Sequence, residues 1–239
     1  MQKLSSEINI SHPFHGKKMI SAGKVIKGLL FFLAAFLLPG CITVYEKYNF
    51  KSNGSGTMEY IIDMSEFYQM MASFSDSVNE QELQIDQSFS ETAEGLKTLK
   101  DISNVQLTGN SRDYIFGIRY DFANPAALNE AMAYILHNET AGKEYIKFSR
   151  KNITRYSLIS DEFSKEKIIG VEENEMDEGM LKEIFEKMKY RISMDFSRPV
   201  KSVTTLAEYS IDKNKLNVET TFNALLENNK VLETVIRLK

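Results

Sequence analysis

The chain of 239 residues contains one cysteine, no tryptophan and three histidines, and these scarcities exclude several classes of protein. One cysteine cannot form an internal disulfide, so the stability of an exported form must come from packing. Only one histidine, His137, lies beyond residue 40. A zinc centre needs several Cys, His or carboxylate ligands, and a Ser or Cys triad needs a base. We therefore expect no metal, no cofactor and no enzymatic activity, and we interpret His137 as a helix-end residue that satisfies terminal carbonyls.

Proline and glycine are also scarce, with four and 12 residues, and no low-complexity tract is present. This composition favours a compact domain over a long disordered stalk. Residues 1–40 hold five of the 29 basic residues and one of the 33 acidic residues, so residues 41–239 carry a net charge of −8. An acidic domain of this kind is a poor candidate for binding nucleic acid.

The one cysteine, Cys41, follows an apolar run, "GLLFFLAAFLL" at 28–38, that is preceded by Lys17, Lys18, Lys24 and Lys27. A basic segment, an apolar core and a small residue before the cut are typical of an export signal. Leu38, Pro39 and Gly40 before Cys41 resemble the bacterial lipobox. The resemblance implies a signal peptide over 1–40, cleavage between Gly40 and Cys41, a diacylglycerol on the Cys41 thiol and usually acylation (palmitate) of the new amino group. The alternative is an uncleaved signal anchor over 28–45, and Met19 is an alternative start of translation.

Residues 41–239 are predicted to form a single α+β domain. Alternating apolar residues and turn signals predict strands in hairpins, with turns at Asn53-Gly54, 110–112, 151–152 and 212–215. Strands are expected over 42–50, 202–211 and 215–222, among others. Helical spacing predicts amphipathic helices from Ser65, around Phe89, after Asn124-Pro125 and around Met180–Met188. We expect a mainly antiparallel sheet with three or four helices packed on one of its faces.

Two stretches carry a family resemblance, "CITVYEKYNFKSNGSGTMEYIIDMSE" and "MDFSRPVKSVTTLAEYSIDKNKLNVETTF". Together they resemble uncharacterised envelope lipoproteins of the Bacteroidetes type and, more distantly, the LppM-type lipoprotein domain. For the LppM type, the resemblance implies an α/β envelope domain associated with lipid or glycolipid binding.

Several acidic and polar residues are candidate site residues. The paired acids Asp161 and Glu162 and an acidic stretch are candidates for glycoside hydrolysis. A solvated loop explains the stretch better, and weak Ca²⁺ binding is a further alternative; its acids are Glu172, Glu173, Glu175, Asp177 and Glu178. Asp212 and Asn214 are interpreted as turn residues. Ser77 in "DSV" resembles an O-glycosylation acceptor of Bacteroidetes-type envelopes, with an unmodified loop as the alternative.

Seven of the methionines beyond Cys41 lie mainly on the predicted helical faces, where core filling or a soft apolar groove are the two interpretations; they are Met64, Met70, Met71, Met132, Met176, Met180 and Met188. We expect a membrane-anchored, non-catalytic lipoprotein that faces the periplasm and binds a lipid or another envelope component beside the membrane. A structural or assembly subunit of an envelope complex is the alternative, and a carboxylate-dependent hydrolase is a third.

Overall fold

The computed structural model describes residues 42–72, 79–136, 144–157 and 185–239, and for 70–72 and 79–84 it describes the backbone alone. All of them belong to one compact unit that spans Pro39–Lys239. Eleven strands are found in these ranges: β1 Thr43–Phe50, β2 Gly56–Asp63, β3 Ile102–Asn110, β4 Ile115–Phe122, β5 Ile146–Ser149, β6 Asn152–Arg155, β7 Lys189–Phe196, β8 Val200–Thr204, β9 Glu208–Asp212, β10 Lys215–Thr221 and β11 Thr234–Leu238. The same ranges contain the α-helices α1 Ser65–Ala72, α2 Asn79–Leu96, α3 Pro125–Ile135 and α4 Phe222–Glu227, and residues 185–187 are also helical.

Seven strands form a sheet in the order β3-β4-β2-β1-β7-β10-β9, which places β1 in the centre. Every neighbouring pair is antiparallel except β1 and β7, which run parallel with Thr43 opposite Lys189 and Phe50 opposite Phe196. The mainly antiparallel sheet predicted from the sequence is therefore confirmed.

The hairpin of β1 and β2 turns through residues 51–55, as the Asn53-Gly54 signal predicts. The Gly54 amide donates to the Lys51 carbonyl at 3.0 Å, and the Asn53 side chain accepts from the Ser55 amide at 3.1 Å. Gly54 has φ +85°, a left-handed conformation that residues with a Cβ enter at a cost of about 1–2 kcal/mol. The local sequence thus determines the register of the two central strands.

The alternation of strand side chains gives the large sheet a buried inner face and an outer face that is only partly covered. On β1, Val44, Glu46, Tyr48 and Phe50 are buried, whereas Lys47 and Asn49 are exposed. Neighbouring strands add further buried side chains to the inner face, among them Met58, Ile118, Tyr120, Ile192, Met194, Leu216 and Val218.

A second sheet of four antiparallel strands, in the order β5-β6-β11-β8, contributes to the layer that covers this inner face. Phe148 of β5 stacks on Phe50 of β1 with ring centroids 5.7 Å apart. Buried Ile153 and Ile236 from the small sheet belong to the same core cluster. The core therefore lies between a large sheet and a layer that includes both helices and strands.

The helices begin at recognisable caps. The Asn124 side chain accepts from the Ala127 amide at 2.9 Å at the start of α3, with Pro125 as the first helical residue. Thr221 caps α4 in the same way at 3.2 Å. Buried Leu128 and Met132 of α3 join the core, so the core-filling interpretation is confirmed for Met132, as it is for buried Met188.

Two expectations about strands are wrong, and a third, about the helices, is not confirmed. The strand expected over 202–211 is two strands in different sheets, because β8 pairs with β11 whereas β9 pairs with β10. Residue 222, expected to end a strand, instead begins α4. The expectation that the helices pack together on one sheet face is not confirmed, since part of the covering layer is the second sheet.

Candidate functional site

The interior of the domain holds an ion pair between Glu46 of β1 and Arg155 of β6. The two residues are 0% and 1% exposed. The Arg155 Nη2 donates to Glu46 Oε1 at 3.0 Å and its Nε donates to Oε2 at 3.2 Å, which makes the contact bidentate. Arg155 Nη1 donates in addition to the carbonyl of Leu232 at 3.1 Å. Because Glu46 belongs to the large sheet and Arg155 to the small one, the pair joins the two sheets.

Three tyrosine hydroxyls complete the coordination of the carboxylate. Tyr48 donates to Glu46 Oε2 at 2.7 Å, Tyr145 donates to the same oxygen, and Tyr190 donates to Oε1. The Tyr145 ring also lies against the Arg155 guanidinium, 4.9 Å from its centroid. Each oxygen of Glu46 thus accepts from both Arg155 and at least one tyrosine.

The ionised forms are favoured inside this cluster. Burial by itself would raise the pKa of Glu46, but the Arg155 charge and the hydrogen bonds from Arg155, Tyr145 and Tyr190 outweigh burial and hold that pKa below its usual range. Burial, together with the Glu46 charge, raises the pKa of Tyr48, Tyr145 and Tyr190 well above the usual tyrosine value. The tyrosines therefore stay protonated and act as donors at neutral pH.

This cluster is enclosed, and both oxygens of its carboxylate are hydrogen-bonded within it. A ligand would have to displace a bidentate Arg–carboxylate contact to reach Glu46. Buried ion pairs of this kind cost much to break, since the remaining partner is left as a buried, unpaired charge. We therefore assign the cluster a structural role, in which it determines how the two sheets pack.

The outer face of the large sheet carries a groove with more accessible polar groups. This outer-face groove has a volume of 530 Å³ and runs over β1, β7, β10 and β9. Its lining includes Tyr45, Lys47, Arg191, Tyr209 and Glu219. The residues come from strands far apart in sequence, and strand alternation places Tyr45, Lys47, Arg191 and Glu219 on the outer face.

Two groups of side chains define the polar character of the outer-face groove. Tyr45 lies between Lys47 and Arg191. Glu219 is bound by Lys189 and Arg191. Arg191 Nη1 donates to the Tyr45 hydroxyl at 3.1 Å, and its guanidinium lies 5.7 Å from the Tyr45 ring centroid. Glu219 accepts from Lys189 at 2.7 Å and from Arg191 at 2.8 Å. Partial burial would raise the pKa of Glu219, but these two hydrogen bonds and charges lower it.

The groove lies near the beginning of β1. The Lys189 amide donates to the carbonyl of Ile42 at 2.9 Å, so the main chain is held in the sheet from the first residue after Cys41. Tyr45 is the third residue of β1 and Arg191 the third residue of β7.

Most candidate residues from the sequence fall outside the described residues, namely Gly40, Cys41, Ser77, His137, Asp161, Glu162, Glu172, Glu173, Glu175, Asp177 and Glu178. The turn interpretation of Asp212 and Asn214 is confirmed: Asn214 donates from its side chain to the Phe196 carbonyl at 2.9 Å, and Lys213 between them has φ +50°. Within the four described ranges, no three His, Cys, Asp or Glu side chains are grouped to hold a metal ion. In those same ranges we find no helix long and apolar enough to cross a bilayer.

The Glu46–Arg155 cluster was missed at the level of sequence. One signal was present, since Glu46 occupies an inward position in the alternation of Val44, Tyr48 and Phe50. No comparable signal identifies Arg155 as its partner, because 109 residues separate them.

Comparison with known proteins gives one distant likeness. No protein-family model matches the chain, and no curated protein matches it. A solved structure that does match is the NMR structure of the folded domain of the LppM protein from Mycobacterium tuberculosis, which is 9% identical and has a TM-score of 0.40. The match covers 85% of this chain and 92% of that one. This finding concerns the LppM-type resemblance alone, and the Bacteroidetes-type resemblance stays a prediction.

Proposed function

We propose that the chain is an envelope lipoprotein, anchored by a lipid on Cys41, that binds a lipid headgroup or another envelope component in the outer-face groove. The observation that carries the proposal is the hydrogen bond from Lys189 to the Ile42 carbonyl. It leaves no free linker between the lipobox cysteine and the sheet.

The absence of a linker supports a binding surface close to the bilayer. A strand rises about 3.3 Å per residue, so Tyr45 lies roughly 13 Å along the chain from Cys41. A lipid on Cys41 would then keep the groove beside the headgroup layer, where the effective concentration of membrane components is high. The periplasmic face is our proposal for its location.

The lining of the groove suits a polar, partly apolar ligand. Tyr45 presents aromatic surface with a hydroxyl, and Arg191 and Lys47 supply donors beside it. Tyrosine is common at surfaces where one part of the ligand is apolar and the other is hydrated. A sugar or a headgroup has this chemistry.

We propose a non-catalytic role. General acid–base chemistry by a carboxylate needs a carboxyl group that is free to exchange a proton within reach of a substrate. Of the described carboxylates with a lowered pKa, Glu46 is enclosed and bound to Arg155, and Glu219 is bound to Lys189 and Arg191. The hydrolase alternative depends on acids that lie outside the described residues.

The proposal is tested by extracting lipids from the purified full chain and identifying them by mass spectrometry. The Tyr45→Ala variant is expected to lose any lipid that copurifies with the parent, because it removes the central aromatic ring of the groove. Val235→Ala is the matched control, since Val235 is 44% exposed and lies on the small sheet. Retention of the same lipid by Tyr45→Ala, or loss of it from both variants, would contradict the assignment of the groove.

A structural observation also favours the assembly-subunit alternative. Strand β9 is exposed along its whole length at the edge of the large sheet, and Leu206, Tyr209 and Ile211 nearby are 70%, 50% and 42% exposed. An exposed apolar edge strand is a template for pairing with another chain. Under this alternative, Ile211→Lys should reduce the size of the complex extracted in mild detergent without removing a copurifying lipid.

A further inference from the structure

One end of the domain is strongly basic, although residues 41–239 carry a net charge of −8. Eight basic residues lie on the segments that meet there, and we call them the basic end: Lys51, Arg150, Lys151, Arg198, Lys201, Lys213, Arg237 and Lys239. All are exposed apart from Arg198, which is half-buried. A sequence search for basic runs does not find this set, since the residues are spread over 189 positions.

Strand topology brings these residues together. Lys51 follows β1, and residues 150–151 form the turn between β5 and β6. Three backbone hydrogen bonds join the remaining segments: the Leu238 amide donates to the Lys151 carbonyl at 2.8 Å, the Lys239 amide to Pro199 at 3.0 Å, and the Val200 amide to Lys213 at 2.9 Å. The ends of both sheets therefore converge on one surface.

The basic end contains two adjoining depressions. One has a volume of 420 Å³ and is lined by Lys151, Lys201, Arg237 and Lys239 with Asn152 and Leu238. The other is a narrow crevice with no room for a water molecule; Lys51, Arg150 and Arg198 lie around it together with Leu238, which lines both depressions. No acidic residue lines either depression.

The charges of the basic end are not neutralised by the described part of the chain. The ion pairs of that part engage Lys47, Lys97, Lys147, Arg155, Lys189, Arg191 and Lys215, none of which belongs to the basic end. Two acids adjoin the basic end in sequence: Asp195 pairs with Lys215 at 3.9 Å, and exposed Asp212 precedes Lys213. Like charges held close together repel each other, so the cluster lowers stability unless an anion binds there.

We propose that the basic end binds a ligand that carries several phosphate groups. Arginine forks bind phosphate oxygens in a bidentate manner, and lysines add point charges. Seven cations around two joined depressions match a ligand with several separate anionic groups better than one inorganic phosphate. The site differs from the outer-face groove, whose lining includes the carboxylates Glu208 and Glu219.

Because the basic end lies far from Cys41, we expect its ligand not to belong to the membrane that holds the anchor. Thr43 and Lys51 lie at opposite ends of β1, which at about 3.3 Å per residue is roughly 25 Å long. The basic end is therefore the end of the domain remote from Cys41. This orientation rests on the proposed lipid at Cys41, whereas phosphate binding itself does not depend on it.

The test uses the purified full chain in a neutral detergent and measures binding of inositol hexakisphosphate by calorimetry. Lys201→Gln combined with Arg237→Gln is expected to weaken binding at least about tenfold, since a charge-assisted hydrogen bond contributes about 1.5–3 kcal/mol. The matched control is Arg112→Gln combined with Lys230→Gln, which removes the same charge away from the basic end and should leave affinity unchanged. Affinity of the parent should also fall steeply with salt, because several ion contacts are formed.

Three results would overturn the proposal. One is an equal loss of affinity in the two double variants, which would indicate a general charge effect. Another is binding of inorganic phosphate as tight as that of the hexakisphosphate, which would indicate a single-phosphate site. The last is binding through Lys201 and Arg237 to vesicles of phosphatidylglycerol and phosphatidylcholine without binding of the hexakisphosphate, which would make the ligand a membrane surface.

Discussion

Replacing Glu46 with glutamine tests the structural role of the buried ion pair. The substitution keeps the shape of the side chain and removes its charge. Arg155, which is 1% exposed, would remain charged without a counterion. One carboxylate oxygen would also become an NH₂ group facing donors, because Glu46 Oε1 and Oε2 both accept from Arg155 and from tyrosine hydroxyls.

The expected loss follows from these contacts. Removal of one partner from a buried ion pair lowers the free energy of unfolding by about 3–5 kcal/mol. The free energy of unfolding of a domain is ordinarily about 5–15 kcal/mol, so the variant would lose a large share of its stability at neutral pH. The measurement is urea unfolding of the purified protein, followed by circular dichroism.

Glu219→Gln is the matched control. Glu219 also accepts from two cations, Lys189 and Arg191, but its side chain is 40% exposed. Exposed ion pairs contribute about 0–1 kcal/mol, so this variant should lose little. Comparable losses in the two variants, or a loss below about 1 kcal/mol for Glu46→Gln, would refute the role assigned to burial.

The pH dependence provides an independent check with a definite sign. The pKa of Glu46 is lower in the folded protein than in the unfolded chain, where it is about 4.3. Its stabilising contribution is therefore fully present above the unfolded pKa and is lost as the pH falls through the folded pKa. The difference in stability between parent and Glu46→Gln should be constant from neutral pH down to about 5 and should narrow below about 4. A difference that grows on acidification would contradict the lowered pKa.

Three further predictions concern the anchor, the first hairpin and a buried hydroxyl. Cys41→Ala should move the exported protein from the membrane fraction to the soluble fraction without unfolding it, as fractionation and circular dichroism would show; continued tight membrane association would favour an uncleaved anchor. Gly54→Val should lower the free energy of unfolding by at least about 1–2 kcal/mol, because Gly54 has φ +85° and a Cβ there would lie 3.0 Å from the Phe148 ring, whereas exposed Lys51→Ala should have little effect. Equal, small losses in urea unfolding would place the turn elsewhere. Tyr120→Phe should leave stability unchanged or raise it by up to about 1–3 kcal/mol, since the buried Tyr120 hydroxyl has no hydrogen-bond partner among the described residues; a clear loss would show that it has one.

The local parts of the fold could be predicted from the sequence because they depend on neighbouring residues. Asn53-Gly54 between two alternating segments is sufficient to predict the β1–β2 hairpin, and Asn124-Pro125 is sufficient to predict the start of α3. Thr221 caps α4 in the structure, but the strand-like residues before it led to a prediction of strand through residue 222.

The non-local pairings could not be predicted in the same way. Residues 202–211 are favourable for strand throughout, and no proline or glycine marks the break between β8 and β9. The break arises because Thr204 finds its partner in Val235 while Glu208 finds its partner in Glu219. The position of the break therefore depends on which strand of which sheet pairs with each part of the segment.

By itself, the sequence determined the lipobox pattern at Cys41, the alternation that turns Glu46 inward and the hairpins that carry the basic residues. Only the tertiary structure decided that Arg155 meets Glu46, that β1 pairs in parallel with β7, and that Arg198 and Lys239 lie at the same end of the domain. The physical reason is that charge pairing and charge clustering act through distance in space. A chain with 109 residues between two partners carries no local pattern that specifies that distance.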